Sequence, residues 1–154
     1  MKNNSDPVDI ALTFVGSNDR SIFNTWFYMK PGVVSAYCGT FVSYCRAVGQ
    51  MPLGTIDYTK GFAGVPFAVN FYKKANKITE NPVRNDIVFF DWTGQKTDFE
   101  HTGLFKEDCG DDINFISIEG NTSNPDIPNT GGQSNGGWVM EKKRPYTCAI
   151  FVHV

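Results

Sequence analysis

The signals for helices and for strands lie in different parts of this 154-residue sequence. Before residue 76, apolar residues recur three and four positions apart, which is the spacing of an amphipathic helix. After Pro82 the apolar runs are short, rich in β-branched and aromatic residues, and separated by Gly, Asn, Asp and Pro. A βαβ fold would alternate the two signals. The sequence therefore predicts an α+β domain with N-terminal helices packed on a mostly antiparallel β-sheet.

Four helices are predicted from their caps and their apolar periodicity. Asp6 is a suitable N-cap before Pro7 at the first helical position, and Pro31-Gly32 ends the second helix. Gly49 supplies a stop for the third helix. The predicted helices cover residues 7–15, 21–29, 38–48 and 65–75.

Five strands are predicted in the second half of the chain. They cover residues 86–92, 101–106, 113–119, 137–142 and 147–153. The segment 122–136, rich in Asn, Gly, Ser and Pro, is longer than an ordinary connection. It is either a surface excursion or part of a functional site.

Composition limits the classes of function. An apolar fraction of 41% and a charged fraction of 19% are typical of a soluble globular domain, here a single one over residues 1–154. The net charge of −2 argues against nucleic-acid binding, and the run Lys142-Lys143-Arg144 is interpreted as a solvated strand end. No apolar run approaches the ~20 residues of a membrane span, and none resembles a signal peptide. We therefore expect no membrane partner and synthesis in the cytoplasm.

The four cysteines, Cys38, Cys45, Cys109 and Cys148, match no compact zinc pattern. A domain of this size without a secretory signal does not need a disulfide framework. We expect mostly free thiols, no metal and no cofactor.

Cys38 lies where a segment interrupted by Pro and Gly turns into the third predicted helix. The positive end of the helix dipole favours a thiolate there, although an isolated cysteine is more often a small core residue. His101, which begins a predicted strand, changes this balance, because an imidazole can take the thiol proton and later deliver it to a leaving amine. The other histidine, His153, is interpreted as a surface or core residue.

Glu119 and Asn121 are the candidates for the polar group that holds the second imidazole nitrogen. They follow an apolar strand and flank Gly120, and strand alternation predicts that both side chains lie on the same side. The alternative is a strand that simply ends in a polar turn.

Five segments, in order along the chain, resemble the motifs of CHAP domains, which are cysteine- and histidine-dependent amidohydrolases and peptidases. Residues 37–45 (YCGTFVSYC) resemble the nucleophile motif, 101–104 (HTGL) the histidine strand and 118–122 (IEGNT) the Glu-Gly-Asn-Thr segment. Residues 85–92 (NDIVFFDW) and 133–137 (QSNGG) are similar to a strand and a turn of some phage endolysins. Each motif alone is modest, but the ordered set is specific.

The resemblance implies a papain-like fold in which Cys38 attacks an amide carbonyl and His101 acts as general base and then as acid. Glu119 would orient His101, and Asn121 would help to orient or polarise the site. The family's substrates are the peptide parts of bacterial peptidoglycan. The bond cut is either the N-acetylmuramoyl-L-alanine amide or a peptide bond of the stem or cross-bridge.

Three further residues are candidates for substrate binding. Tyr37 and Trp92 either line a groove that takes sugar rings and peptide stems or belong to the core. Gly103, close to His101, would let a substrate backbone approach closely. Some relatives carry a calcium loop before the cysteine, but residues 25–37 contain no carboxylate, so calcium is not expected there.

The leading hypothesis is a peptidoglycan hydrolase, most simply a phage lysin released to the wall by a holin. It would recognise the wall alone or with a wall-binding domain or subunit. One alternative is an antibacterial effector of a secretion system, which would travel with an immunity protein. Others are a non-catalytic wall-binding or tail module on the same fold, and a protease that acts on ordinary proteins.

Overall fold

The computed structural model describes residues 4–128 and 131–154. In this part of the chain, four α-helices precede a six-stranded sheet whose paired strands are all antiparallel, which confirms the predicted α+β class. The helices are α1 Pro7–Leu12, α2 Ser21–Tyr28, α3 Cys38–Val48 and α4 Val65–Lys74. The strands are β1 Ile78–Thr79, β2 Ile87–Phe90, β3 His101–Asp108, β4 Asn114–Thr122, β5 Trp138–Pro145 and β6 Ala149–Val152, with a 3₁₀ turn at Tyr146–Cys148 before β6.

The N-terminal helix begins as predicted and ends earlier. The Asp6 carboxylate caps α1 by accepting a hydrogen bond from the Asp9 backbone N–H at 2.8 Å. The Asp9 carboxylate in turn accepts a hydrogen bond from the Asp6 backbone N–H at 3.2 Å. The helix stops at Leu12 rather than near residue 15. The reason is tertiary, because the chain turns so that the Gly16 N–H can donate to the Val139 carbonyl of β5 at 2.8 Å.

Gly49 follows α3 as predicted, for a reason that the sequence does not reveal. Its φ is −75°, so the position does not require the left-handed backbone conformation that glycine allows. A Cβ here would clash with the backbone nitrogen of Pro7 at the start of α1. Glycine thus lets α1 approach the end of α3 closely.

The sheet order is β1-β6-β2-β3-β4-β5, and apolar clusters cover both faces of its central strands. One face packs on the helices, with α3 lying across β3 and β4. The other face forms a second apolar cluster, on which Trp92 and Tyr146 pack. The strand residues of this second cluster are Val88, Phe90, Phe105, Phe115, Ala149 and Phe151. Two-sided burial explains why the strands appear as continuous apolar runs.

Strand β2 ends earlier than predicted, because a side chain that follows it binds the backbone of the next loop. β2 stops at Phe90 rather than residue 92, because the Asp91 carboxylate accepts backbone hydrogen bonds from Thr93 at 2.9 Å and Thr97 at 2.9 Å. The resulting tight loop takes Trp92 out of the sheet. The two-residue strand β1 was not predicted, since it is too short to show a period.

Among the described residues, no helix combines the length and the apolar character that a membrane crossing requires.

Gly120→Ala is expected to destabilise the fold by about 1 to 3 kcal/mol, because a Cβ at this β4 position would lie 2.7 Å from the Phe41 Cβ of α3. Gly132→Ala is the matched control, since a Cβ there meets nothing within 4 Å, and we expect it to stay within about 0.5 kcal/mol of wild type. Urea unfolding measures both values. Equal stability of the two variants would show that α3 does not press on β4 as described.

Candidate active site

Cys38 is the first residue of α3, in agreement with the sequence prediction. The first backbone hydrogen bond of this helix runs from the Phe41 N–H to the Tyr37 carbonyl at 2.9 Å. The Cys38 and Gly39 N–H groups precede that bond, so they are among the N–H groups that a helix start leaves free for another acceptor. The side chain is nearly buried, with 6% of its residue surface exposed.

The chain around Cys38 is fixed on two sides. The buried amide of Asn24 in α2 donates to the Ser35 carbonyl at 3.0 Å and accepts from the Thr40 hydroxyl at 2.8 Å, which joins the segment before Cys38 to the helix after it. On the other side, a Cβ on Gly39 would lie 2.6 Å from the Ala63 carbonyl oxygen. Sequence reasoning missed Asn24, because an asparagine on a helix face carries no local signal of this bridging role.

His101 is the first residue of β3 and is completely buried. Its Nε2 lies 3.0 Å from Oε2 of Glu119 on the adjacent strand β4. With Nε2 occupied, Nδ1 is the nitrogen available to Cys38. Nδ1 has no well-aligned hydrogen bond among the described residues, which fits the loose Cys/His geometry common in unliganded sites.

The imidazole is strongly polarised by its neighbours. Burial opposes the charged form, but the neighbouring Cys38 and Glu119 side chains outweigh it and raise the pKa of His101 to about 9. The imidazolium form is therefore the stable one at neutral pH, and it lies beside the Cys38 sulfur. This is the arrangement that a thiolate nucleophile requires.

Glu119 is also completely buried, and its carboxylate is fully hydrogen-bonded. Oε1 accepts from the Ser117 hydroxyl at 2.6 Å and from Arg144 Nε at 2.8 Å, while Arg144 Nη2 reaches Oε2 at 2.6 Å. Burial alone would raise the pKa of Glu119, but the hydrogen bonds from Arg144 and His101 lower it to about 2. Glu119 is thus a permanent carboxylate, suited to orienting His101 rather than to transferring protons.

Arg144 corrects one prediction from the sequence. The run 142–144 was interpreted as a solvated strand end, yet Arg144 is 8% exposed and forms a bidentate pair with Glu119. The available signal was indirect: a glutamate in the middle of an apolar strand needs a buried cation, and an arginine on a neighbouring strand can supply it. Ser117, two positions before Glu119 on the same face, was also missed.

Asn121 does not contact His101 through any hydrogen bond among the described residues. Its backbone is left-handed, with φ of 59°, and the register of β4 against β5 shifts between Glu119 and Thr122. The Asn121 amide donates instead to the Ser134 carbonyl at 3.3 Å, and its own carbonyl accepts from the Gly136 N–H at 3.0 Å. The structure therefore places Asn121 as an anchor for the loop that follows β4.

The three predicted substrate-binding residues lie near the site in different ways. Tyr37 is fully buried and donates to the Gly137 carbonyl at 2.8 Å, which agrees with its core interpretation. Gly103 is buried in β3, where a Cβ would lie 2.9 Å from the Glu119 Cγ, so it makes room for Glu119 and not for a substrate. Only the half-buried Trp92 offers surface, and its ring centroid lies 5.8 Å from that of His101.

The described residues contain no group of three or more histidine, cysteine or acidic side chains placed to hold a metal ion. A cleft of about 590 Å³, lined by residues that include Arg84, Asp108 and Tyr146, is separate from the site, since neither Cys38 nor His101 lines it. The chemistry of the residues, and not the size of a cavity, therefore identifies the candidate active site.

No family model, curated protein or solved structure matches this chain.

Proposed function

We propose that this chain is a cysteine-dependent hydrolase of amide bonds in bacterial peptidoglycan, with a papain-like arrangement of the CHAP type. The observation that carries the proposal is the buried contact of 3.0 Å between His101 Nε2 and Glu119 Oε2, with Cys38 beside the same ring at the start of α3. The reaction class follows from this chemistry. The substrate class follows from the five motifs that resemble those of phage lysins.

In the proposed reaction, the Cys38 thiolate attacks the amide carbonyl carbon and forms a tetrahedral oxyanion. The His101 imidazolium donates its Nδ1 proton to the leaving amine, the carbon–nitrogen bond breaks, and a thioester to Cys38 remains. Neutral His101 then takes a proton from water, and the resulting hydroxide attacks the thioester carbonyl. Collapse of this second intermediate releases the carboxylic acid and restores the thiolate with the imidazolium.

The start of α3 supplies the oxyanion site in this scheme. The backbone N–H of Cys38 precedes the first hydrogen bond of the helix and points toward the end where the helix dipole is positive. Donors fixed in this way stabilise the charge that develops on the carbonyl oxygen. Glu119 keeps His101 in the tautomer that presents Nδ1 to Cys38.

The rate of hydrolysis is expected to fall as the pH rises through about 9. The raised pKa of His101 means that the imidazolium is present below this pH and is lost above it, after which the leaving amine has no proton donor. The profile of kcat/KM on soluble peptidoglycan fragments, recorded from about pH 5 to about pH 11, measures this limb as a property of the coupled Cys/His pair. A descending limb at the ordinary histidine value of 6.5 would contradict the described polarisation.

The test of the proposed function is digestion of purified peptidoglycan by wild type and by Cys38→Ala, with mass spectrometry of the fragments. Release of intact stem peptides that begin with L-alanine would identify an amidase. Release of internal amino groups, with stems still attached to glycan, would identify an endopeptidase. Absence of cleavage on several wall types by a folded wild-type protein would refute the proposal and favour a non-catalytic wall-binding module.

A further inference from the structure

Arg144 of β5 belongs to the buried network around Glu119, and the proposed mechanism does not use it. Its guanidinium forms a fork on Glu119, with Nε on Oε1 at 2.8 Å and Nη2 on Oε2 at 2.6 Å. We infer that Arg144 is a positioning residue, which holds Glu119 as a carboxylate and aims Oε2 at His101. This inference rests on the proposed function, because it assigns a role within the same reaction.

The fork leaves the carboxylate no freedom to rotate. Oε1 accepts from Arg144 and Ser117, and Oε2 accepts from Arg144 and lies 3.0 Å from His101 Nε2. A planar guanidinium matches a carboxylate with two parallel bonds, a geometry that the single ammonium of lysine does not reproduce. The orientation of His101 is therefore set by Arg144, acting through Glu119.

Arg144 and His101 are held by the same two aromatic rings. The guanidinium carbon lies 4.7 Å from the Trp92 ring centroid and 5.7 Å from that of Phe90. The His101 ring centroid lies 5.8 Å and 5.7 Å from the same two rings. The Trp92 indole N–H donates to the Ser134 hydroxyl at 2.7 Å, which joins the Trp92 ring to the loop after β4. The two rings thus exclude water from one side of the network. The charges of the network interact more strongly where water is excluded.

The charged and titratable groups around Glu119 come from two strands, from the 3₁₀ turn before β6 and from α3. Arg144 and, more distantly, Lys142 face it from β5, His101 faces it from β3, and Cys148 precedes β6. Cys38 completes the set through His101. When active, the network contains two anions, on Glu119 and Cys38. Loss of the Arg144 charge makes both anions harder to form in a buried site, so the thiolate should require a higher pH.

The experiment is the pH dependence of Cys38 alkylation by iodoacetamide, which needs no peptidoglycan. Arg144→Gln removes the charge and the fork, Arg144→Lys keeps the charge alone, and Lys143→Gln removes an exposed charge from the same strand as the matched control. Hydrolysis of peptidoglycan is measured in parallel, and folding is checked by circular dichroism.

For Arg144→Gln we expect the half-maximal pH of alkylation to rise by at least about 0.5 units and hydrolysis to fall about 10- to 100-fold. Arg144→Lys should keep the half-maximal pH and lose about 3- to 10-fold in hydrolysis, because the fork is gone. Lys143→Gln should match wild type in both.

A folded Arg144→Gln protein with the wild-type alkylation profile would overturn the inference. If Arg144→Gln does not fold, Arg144→Lys decides, since hydrolysis at the wild-type rate in that variant would show that the fork positions nothing. Failure of the proposed function is distinguishable from both results. In that case the wild-type Cys38 itself shows no enhanced alkylation, or it is alkylated readily while peptidoglycan stays intact.

Discussion

Cys38→Ala is expected to abolish peptidoglycan hydrolysis, with a loss of about a thousandfold or more in kcat/KM, while the protein stays folded. The substitution removes the only atom that forms a bond to the substrate in the proposed reaction. Alanine suits a helix start that already tolerates a small side chain, so α3 and its packing should persist. Release of soluble fragments from purified walls, together with a urea unfolding curve, measures both effects.

The matched control for this substitution is Cys109→Ser. Cys109 is a free thiol just after β3, it is partly exposed, and it lies outside the described network. This variant should hydrolyse walls at the wild-type rate. Retained hydrolysis by a folded Cys38→Ala protein would mean that another group performs the attack, and the mechanism would have to be abandoned.

His101→Ala is expected to reduce kcat/KM by about a hundredfold to ten-thousandfold. His101 both stabilises the thiolate and transfers protons to the amine and from water, so its loss affects each step. The Glu119–Arg144 pair remains closed without it, with contacts of 2.8 and 2.6 Å, and should preserve the sheet around the site. Initial rates on soluble wall fragments, with near-ultraviolet circular dichroism as a check on packing, measure the effect.

His153→Ala is the control that distinguishes the loss of the catalytic histidine from the loss of any histidine. The His153 side chain is 64% exposed and pairs with Asp86 at 2.7 Å. This pair lies at the end of β2 and β6 where Ile87 pairs with Val152, whereas His101 pairs with Phe90 at the other end of β2. We expect its rate to stay within about twofold of wild type. Equal losses in the two histidine variants would indicate a general effect on folding and would remove the support for His101 as the base.

Local signals were sufficient to predict the elements that carry the nucleophile and the base. The third helix is Cys38–Val48, as its apolar spacing predicts, and His101 begins β3 as expected from the run that follows it. Each of these elements is defined by residues close in sequence, so a period and a stop signal reveal it. The contact between Glu119 and His101 was also predicted. It forms because β3 and β4 are adjacent strands, which brings the two side chains together.

The missing parts depend on contacts between distant residues. Arg144 resembles a solvated cation in the sequence, because its burial depends on Glu119, 25 positions earlier, and on the rings of Phe90 and Trp92. Gly103 was assigned to substrate approach, whereas the structure shows that it accommodates the Glu119 side chain. Sequence patterns define faces and periods, but they do not identify which buried charges meet.

The most direct test of the account is to treat the wild-type protein with less than one equivalent of iodoacetamide at neutral pH and to map the modified cysteine by mass spectrometry. Exposure alone favours Cys109, the most exposed of the four thiols, while burial raises the pKa of the Cys45 and Cys148 thiols. We expect Cys38 to react first, despite its 6% exposure, and we expect His101→Ala to remove this preference. Preferential modification of Cys109, with Cys38 unreactive until high pH, would contradict the assignment of Cys38 as an activated nucleophile.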